Sequence, residues 1–189
     1  MQYVTDKINK TCGILYLTRH MPTISALKQI YYSLIYPNIV YCLAIWGAAG
    51  NTKTQQVVVA QKRVIRTIAS LNRRDHTHGT FLDLKILKFA EIKSYCCAVY
   101  VYKSINSIID SNYFQYRRNE FHSLRDPDLL RVPVVRSTQS QAFIQYHGVK
   151  VWNALPSHIR GKNTLASFKS SLKSYFILEY RKTNSFEVL

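Results

Sequence analysis

The sequence predicts a mainly α-helical protein: a helical bundle over residues 1–112, then a small irregular C-terminal module over residues 113–189 with room for a short β-hairpin. Three observations carry this reading. Apolar residues recur at helical spacing in segment after segment between positions 4 and 107. The segments are separated by turn-forming stretches, at Met21-Pro22-Thr23, residues 47–52 and residues 72–79. Apolar residues make up 47% of the 189, enough to bury a core and too many for a disordered chain.

Val4, Ile8, Cys12, Leu15 and Tyr16 fall on one face of a first helix. Thr23 or Ser25 can cap a second helix that runs to Tyr36. Pro37 kinks or ends it, and residues 38–46 resume as a buried helix. Residues 54–71 form a long helix, followed by a polar, basic turn over 72–79 in which Asp75 and His76 serve as caps. A short helix over 81–87 leads into a long one over 89–107, rich in tyrosine and cysteine.

Beyond Asn112 the character changes. Residues 113–125 are aromatic and basic with no clear period. Residues 129–135 (LLRVPVV) are β-branched and read as a short strand, with Pro133 marking an edge. Residues 141–152 either pair with that strand or wind into a helical turn. In GVKVWNALP (residues 148–156) Gly148 permits a tight turn, Pro156 stops the next one, and Val151, Trp152 and Leu155 plug a hydrophobic gap. A final amphipathic helix over 167–180 places Phe168, Leu172, Tyr175 and Phe176 on one side.

Lysine and arginine outnumber acids 26 to 10, a formal charge of +16. That imbalance calls for a polyanionic partner, either nucleic acid or an anionic membrane surface. Residues 29–52 carry no charge and are long enough to span a bilayer. However, Tyr31, Tyr32, Tyr36, Pro37, Asn38 and Tyr41 crowd the centre of that run. A kinked helix pair buried in a bundle explains the run better, and no membrane partner is expected. Cys12, Cys42, Cys96 and Cys97 form no CxxC pair and read as reduced, buried thiols of a nuclear or cytoplasmic protein. The N-terminus lacks the apolar stretch of a secretory signal.

The acids argue against catalysis. Nucleotidyl transfer needs metal ions held by neighbouring carboxylates. Among the ten acids here no two are adjacent, and only Asp126 and Asp128 are close, with Pro127 between them in a basic loop. His76 and His78, with Asp75 beside them and Cys96-Cys97 downstream, lack zinc-ligand spacing. No nucleophile elbow, HExxH, Walker or Rossmann pattern occurs, so no enzyme activity, metal or cofactor is expected.

The positive signal is basic. At about 100° per residue, Lys62, Arg66 and Arg73 fall within roughly 40° of each other. Val57, Ala60, Gln61, Val64, Ile68 and Leu71 take the opposite side. No acid interrupts residues 53–74, whereas a merely solvated face mixes signs. Arg63 and Arg74 add to the same cationic stretch. A second cluster is Lys162, Lys169, Lys173, Arg181 and Lys182 on the last helix. A third is Arg117, Arg118 and Arg125 among Tyr113, Phe114, Tyr116 and Phe121. Those aromatics either stack on a single strand or pack beneath the helices. The candidate nucleic-acid-binding residues are therefore Lys62, Arg63, Arg66, Arg73, Arg74, Arg117, Arg118, Lys169 and Lys173.

Several blocks in order carry a resemblance: KINKTCGILY (7–16), LKQIYYSLIYP (27–37), YCLAIWG (41–47), QKRVIR (61–66), His76-Thr77, LKILK (84–88), GVKVWNALP (148–156) and SFKSSLK (167–173). Together they resemble the segment after the polymerase palm in reverse transcriptases of non-LTR retrotransposons, of the Jockey and RTE-like kind. Val149 departs from that pattern, which usually has proline after the glycine. The resemblance implies a thumb-like helical domain over 1–112 and a basic C-terminal module over 113–189. It implies helices that grip the backbone of an RNA or DNA template–primer without sequence preference, beside the palm of a full-length enzyme. The aromatic-x-Asp-Asp turn of a palm is absent, and no palm or endonuclease block precedes Met1. The expectation is a non-catalytic fragment of an RNA-directed DNA polymerase, retained as a binding module or left as a remnant of a decayed element.

Overall fold

A computed structural model of the chain describes residues 2–20, 23–110, 114 and 129–185. These residues are mainly helical, and no strand occurs among them. In order the helices are α1 (Gln2–Thr18), α2 (Ile24–Ile30), α3 (Tyr36–Val40), α4 (Leu43–Trp46), α5 (Asn51–Ile68), α6 (His78–Asp83) and α7 (Phe89–Ile105). After the undescribed stretch come α8 (Thr138–Ala142), α9 (Ile144–Ala154), α10 (Ser157–Arg160) and α11 (Leu165–Ser185). None of the described helices is long and apolar enough to cross a membrane.

The described residues fall into two compact units. The first gathers those up to Leu43, those of Ala49–Ile92 and those from Ile177 onward. The second gathers Ala44–Ala48 and the described part of Lys93–Phe176. The change of composition near residue 112 is therefore not where the packing divides the chain: most of α7 belongs with the second unit and the end of α11 with the first.

In the first unit α1 packs along α5. Ile8, Cys12 and Leu15 of α1 and Val57, Ala60, Val64, Ile65 and Ile68 of α5 are buried, as their spacing requires. Gln61 sits among them, only 1% exposed. Its amide nitrogen donates to the Tyr31 hydroxyl and to the Leu87 carbonyl, each at 2.9 Å. Burial also holds the Tyr31 hydroxyl well above the ordinary tyrosine pKa. Gln61→Ala removes the donor from two buried acceptors and is expected to cost about 1–3 kcal/mol. Urea denaturation checks this, and a variant as stable as the parent would show that the contact contributes nothing.

Thr23 caps α2 as expected, accepting from the Ala26 N–H at 3.3 Å. Pro37 does not end the helical run that starts at Ile24, which continues to Val40. Residues Tyr31–Ile35 widen into a π-helical turn, and Pro37 sits in the first turn of α3. A proline ring clashes with the carbonyl four residues earlier in a regular helix, and a wider turn relieves that clash. Two side chains serve carbonyls in this stretch: Ser33 donates to Gln29 O at 2.9 Å and Asn38 donates to Leu34 O at 2.6 Å. The break comes instead at Tyr41–Cys42, where Cys42 has a φ of 51°. The expected single helix over 38–46 is thus two short ones. Cys42 is exposed, against the expectation that all four thiols are buried, and all four are free.

The second unit closes on Ala98, Val101 and Tyr102 of α7, Val149 and Trp152 of α9, Leu155, Ile159, Phe168, Leu172 and Leu130. The Tyr102 ring stacks on Phe168 at 4.3 Å between centroids, and Trp152 leans on the same ring at 5.9 Å. GVKVWNA is not a turn but the second half of α9. Gly148 packs closely: a Cβ there would lie 3.2 Å from both Ile144 Cγ1 and Val101 Cγ2, tight enough that those side chains would have to shift by a few tenths of an ångström. Among the described residues LLRVPVV forms no strand, only an isolated bridge at Leu130. Leu130 donates its N–H to Asn153 Oδ1 and accepts from Asn153 Nδ2, both at 2.9 Å. One side-chain amide on a helix thereby supplies the pair of bonds that a neighbouring strand would have made.

Candidate functional site

α1 and α5 meet along their buried faces and leave a groove of about 890 Å³ beside them. Arg63 and Arg66 reach it from α5, Arg73 from the turn after α5, and Tyr16, Arg19 and His20 from the end of α1. No acid is found among the described residues that line it.

The local structure explains how these cations converge. α5 ends at Ile68, and Ser70 takes a φ of 54°. The Leu71 N–H returns to the Arg66 carbonyl at 2.9 Å, closing the helix end. Asp75 Oδ2 accepts from the Asn72 N–H at 2.8 Å and fixes the turn that carries Arg73. Arg66 donates from Nε to the Asp75 carbonyl at 3.0 Å, so one edge of that guanidinium is anchored. Arg63 Nη1 reaches Asn9 Oδ1 at 3.5 Å across the helix pair. The Arg19 guanidinium lies 3.7 Å above the Tyr16 ring, which is 56% exposed. Among the described residues none of these four arginines is in an ion pair. The groove thus gathers four guanidinium groups that no described acid pairs with, an arrangement that an oxyanion suits.

A second section of about 460 Å³ adjoins the first and shares Asn9, Val59 and Arg63 with it. Its polar lining is neutral apart from Arg63: Thr5, Asn9, Thr52, Gln55 and Gln56.

Of the residues expected from sequence, Arg63, Arg66 and Arg73 come together here. Lys62, half-buried, and Arg74, exposed, do not line the groove. The helical grouping of Lys62, Arg66 and Arg73 needs correction, because the helix stops five residues before Arg73 and the turn delivers that side chain. Lys169 and Lys173 lie half-buried on the part of α11 within the second unit. Arg117 and Arg118 lie outside the described residues. Sequence reading missed Arg19, His20, Tyr16 and Asn9. Part of the signal was present: Asn9, Gly13 and Tyr16 recur at helical spacing along α1, and Tyr16, expected on the apolar face, is instead 56% exposed.

Other reactive groups are otherwise engaged. Asp75 belongs to the turn, as expected. His78 Nδ1 lies 2.6 Å from the Tyr180 hydroxyl and 3.0 Å from Lys88 Nζ, and that ammonium sits 3.8 Å above the Tyr180 ring. Burial pushes the Cys96 thiol up to about 12 and the Cys97 thiol up to about 11, so both stay protonated near neutral pH. Among the described residues no group of three or more His, Cys, Asp or Glu side chains is placed to hold a metal ion. No family model, curated protein or solved structure matches the chain.

Proposed function

We propose that this chain binds the sugar–phosphate backbone of RNA and DNA through the arginine groove, without base-sequence preference and without catalysing a reaction. The observation that carries the proposal is the convergence of Arg19, Arg63, Arg66 and Arg73 in one groove whose described lining holds no acid. Guanidinium groups match phosphate geometry, and a net charge of +16 steers polyanions toward the molecule. The ordered sequence blocks support a more specific identity, the thumb-like post-palm region of a non-LTR retrotransposon reverse transcriptase. In that setting the groove holds part of the template–primer while a palm supplies the chemistry.

Fluorescence anisotropy with labelled RNA, DNA and hybrid oligonucleotides tests the binding. Dissociation constants on the order of 10⁻⁶–10⁻⁴ M at physiological salt, falling steeply as salt is lowered, are expected for non-specific contact. Similar values for unrelated sequences are expected as well. No salt-sensitive binding to any of the three would contradict the proposal. With magnesium, template–primer and deoxynucleotides the chain is expected to extend nothing, and extension that survives repurification would show catalysis.

A further inference from the structure

Resting on the nucleic-acid reading above, we propose that the α1–α5 groove takes a single strand rather than a duplex, with phosphates at its arginine section and exposed base or sugar edges at its neutral section. The two sections differ in chemistry along one path. Arg19, Arg63, Arg66 and Arg73 offer charge at one end. Thr52, Gln55 and Gln56 offer only neutral donors and acceptors at the other. Amide and hydroxyl groups can also bond phosphate oxygens, but unlike guanidinium groups they add no charge and can donate and accept at once. Amides pair well with the Watson–Crick edges of bases, which a single strand exposes and a duplex occupies.

From Thr52 to Arg66, α5 advances roughly 21 Å, room for a few nucleotides of an extended strand. Tyr16, exposed at the arginine end and already stacked under Arg19, adds an aromatic ring of the kind on which single strands are held.

The test separates the sections. Gln55 and Gln56 are exposed on α5, so Gln55→Ala with Gln56→Ala leaves the fold intact. Binding of the intact chain to labelled oligothymidine, and to its duplex with oligoadenosine, is measured across a salt series. The parent is expected to hold the single strand more tightly. The double variant is expected to lose roughly 10-fold on the single strand, as for one or two neutral hydrogen bonds. Its salt slope should be unchanged, since no phosphate contact is removed, and its duplex affinity should be unchanged too. A double variant that binds the strand like the parent, or a parent that binds duplex equally or better, overturns the single-strand inference and leaves backbone binding standing. Failure to bind either probe overturns both.

Discussion

Trp152→Ala destabilises the second unit by about 3–5 kcal/mol, the usual range for truncating a buried tryptophan. Trp152 is only 3% exposed and leans on Phe168, whose other neighbour is the stacked ring of Tyr102. Truncation leaves a cavity beside a ring pair that loses its third partner. Because small domains are stable by only about 5–15 kcal/mol, a loss of that size should be plain in thermal unfolding followed by circular dichroism. A variant that melts with the parent would show that the indole contributes nothing to the core and would return Trp152 to the candidate binding residues.

The second large effect is on affinity. Replacing Arg19, Arg63 and Arg73 together by glutamine removes three of the four guanidinium groups from the groove. Arg66 is left in place because its Nε bond to the Asp75 carbonyl also holds the turn. Glutamine tolerates helix and turn alike, so the fold should persist. Affinity for single-stranded RNA is expected to fall on the order of 100-fold at low salt, as charge-assisted contacts are lost. The log–log salt slope should become shallower by about two to three units, roughly one per phosphate contact. An unchanged slope with unchanged circular dichroism would move the binding surface elsewhere, first to Lys169 and Lys173 or to Arg117 and Arg118.

Much of this architecture can be read from the chain, and the parts that cannot share a cause. The buried side of α5, including Gln61, follows from its spacing, as do the face of α11, the Thr23 cap and, except for the exposed Tyr16, the face of α1. All of these depend on residues within a few turns of each other. What escaped is decided at longer range. GVKVWNA is helical, and its Gly148 packs closely against Val101 of α7, a partner far upstream. Leu130 takes both of its backbone bonds to Asn153 from a residue 23 positions away. The π-helical turn accommodates Pro37 without breaking the chain there, an outcome that proline's local preference conceals. The groove follows the same rule: Arg63 and Arg66 were evident on one helix, but its other wall comes from Tyr16, which the spacing placed on the apolar face of α1, and from Arg19 and His20 just beyond that helix. Wheel geometry also misplaced Arg73, since it assumed a helix that the left-handed Ser70 has already ended.

The most direct measurement is a map of the bound surface. Uniformly ¹⁵N-labelled chain is titrated with short oligothymidine while backbone amide resonances are followed. The account predicts that the largest, saturating shifts fall on Gly13, Tyr16, Arg19, Arg63, Thr67, Asn72 and Arg73, which line the groove. They should fade as salt is raised, with little change in α9 and α10. Shifts confined to α9, α10 and α11, with the α1 and α5 resonances unmoved, would contradict it.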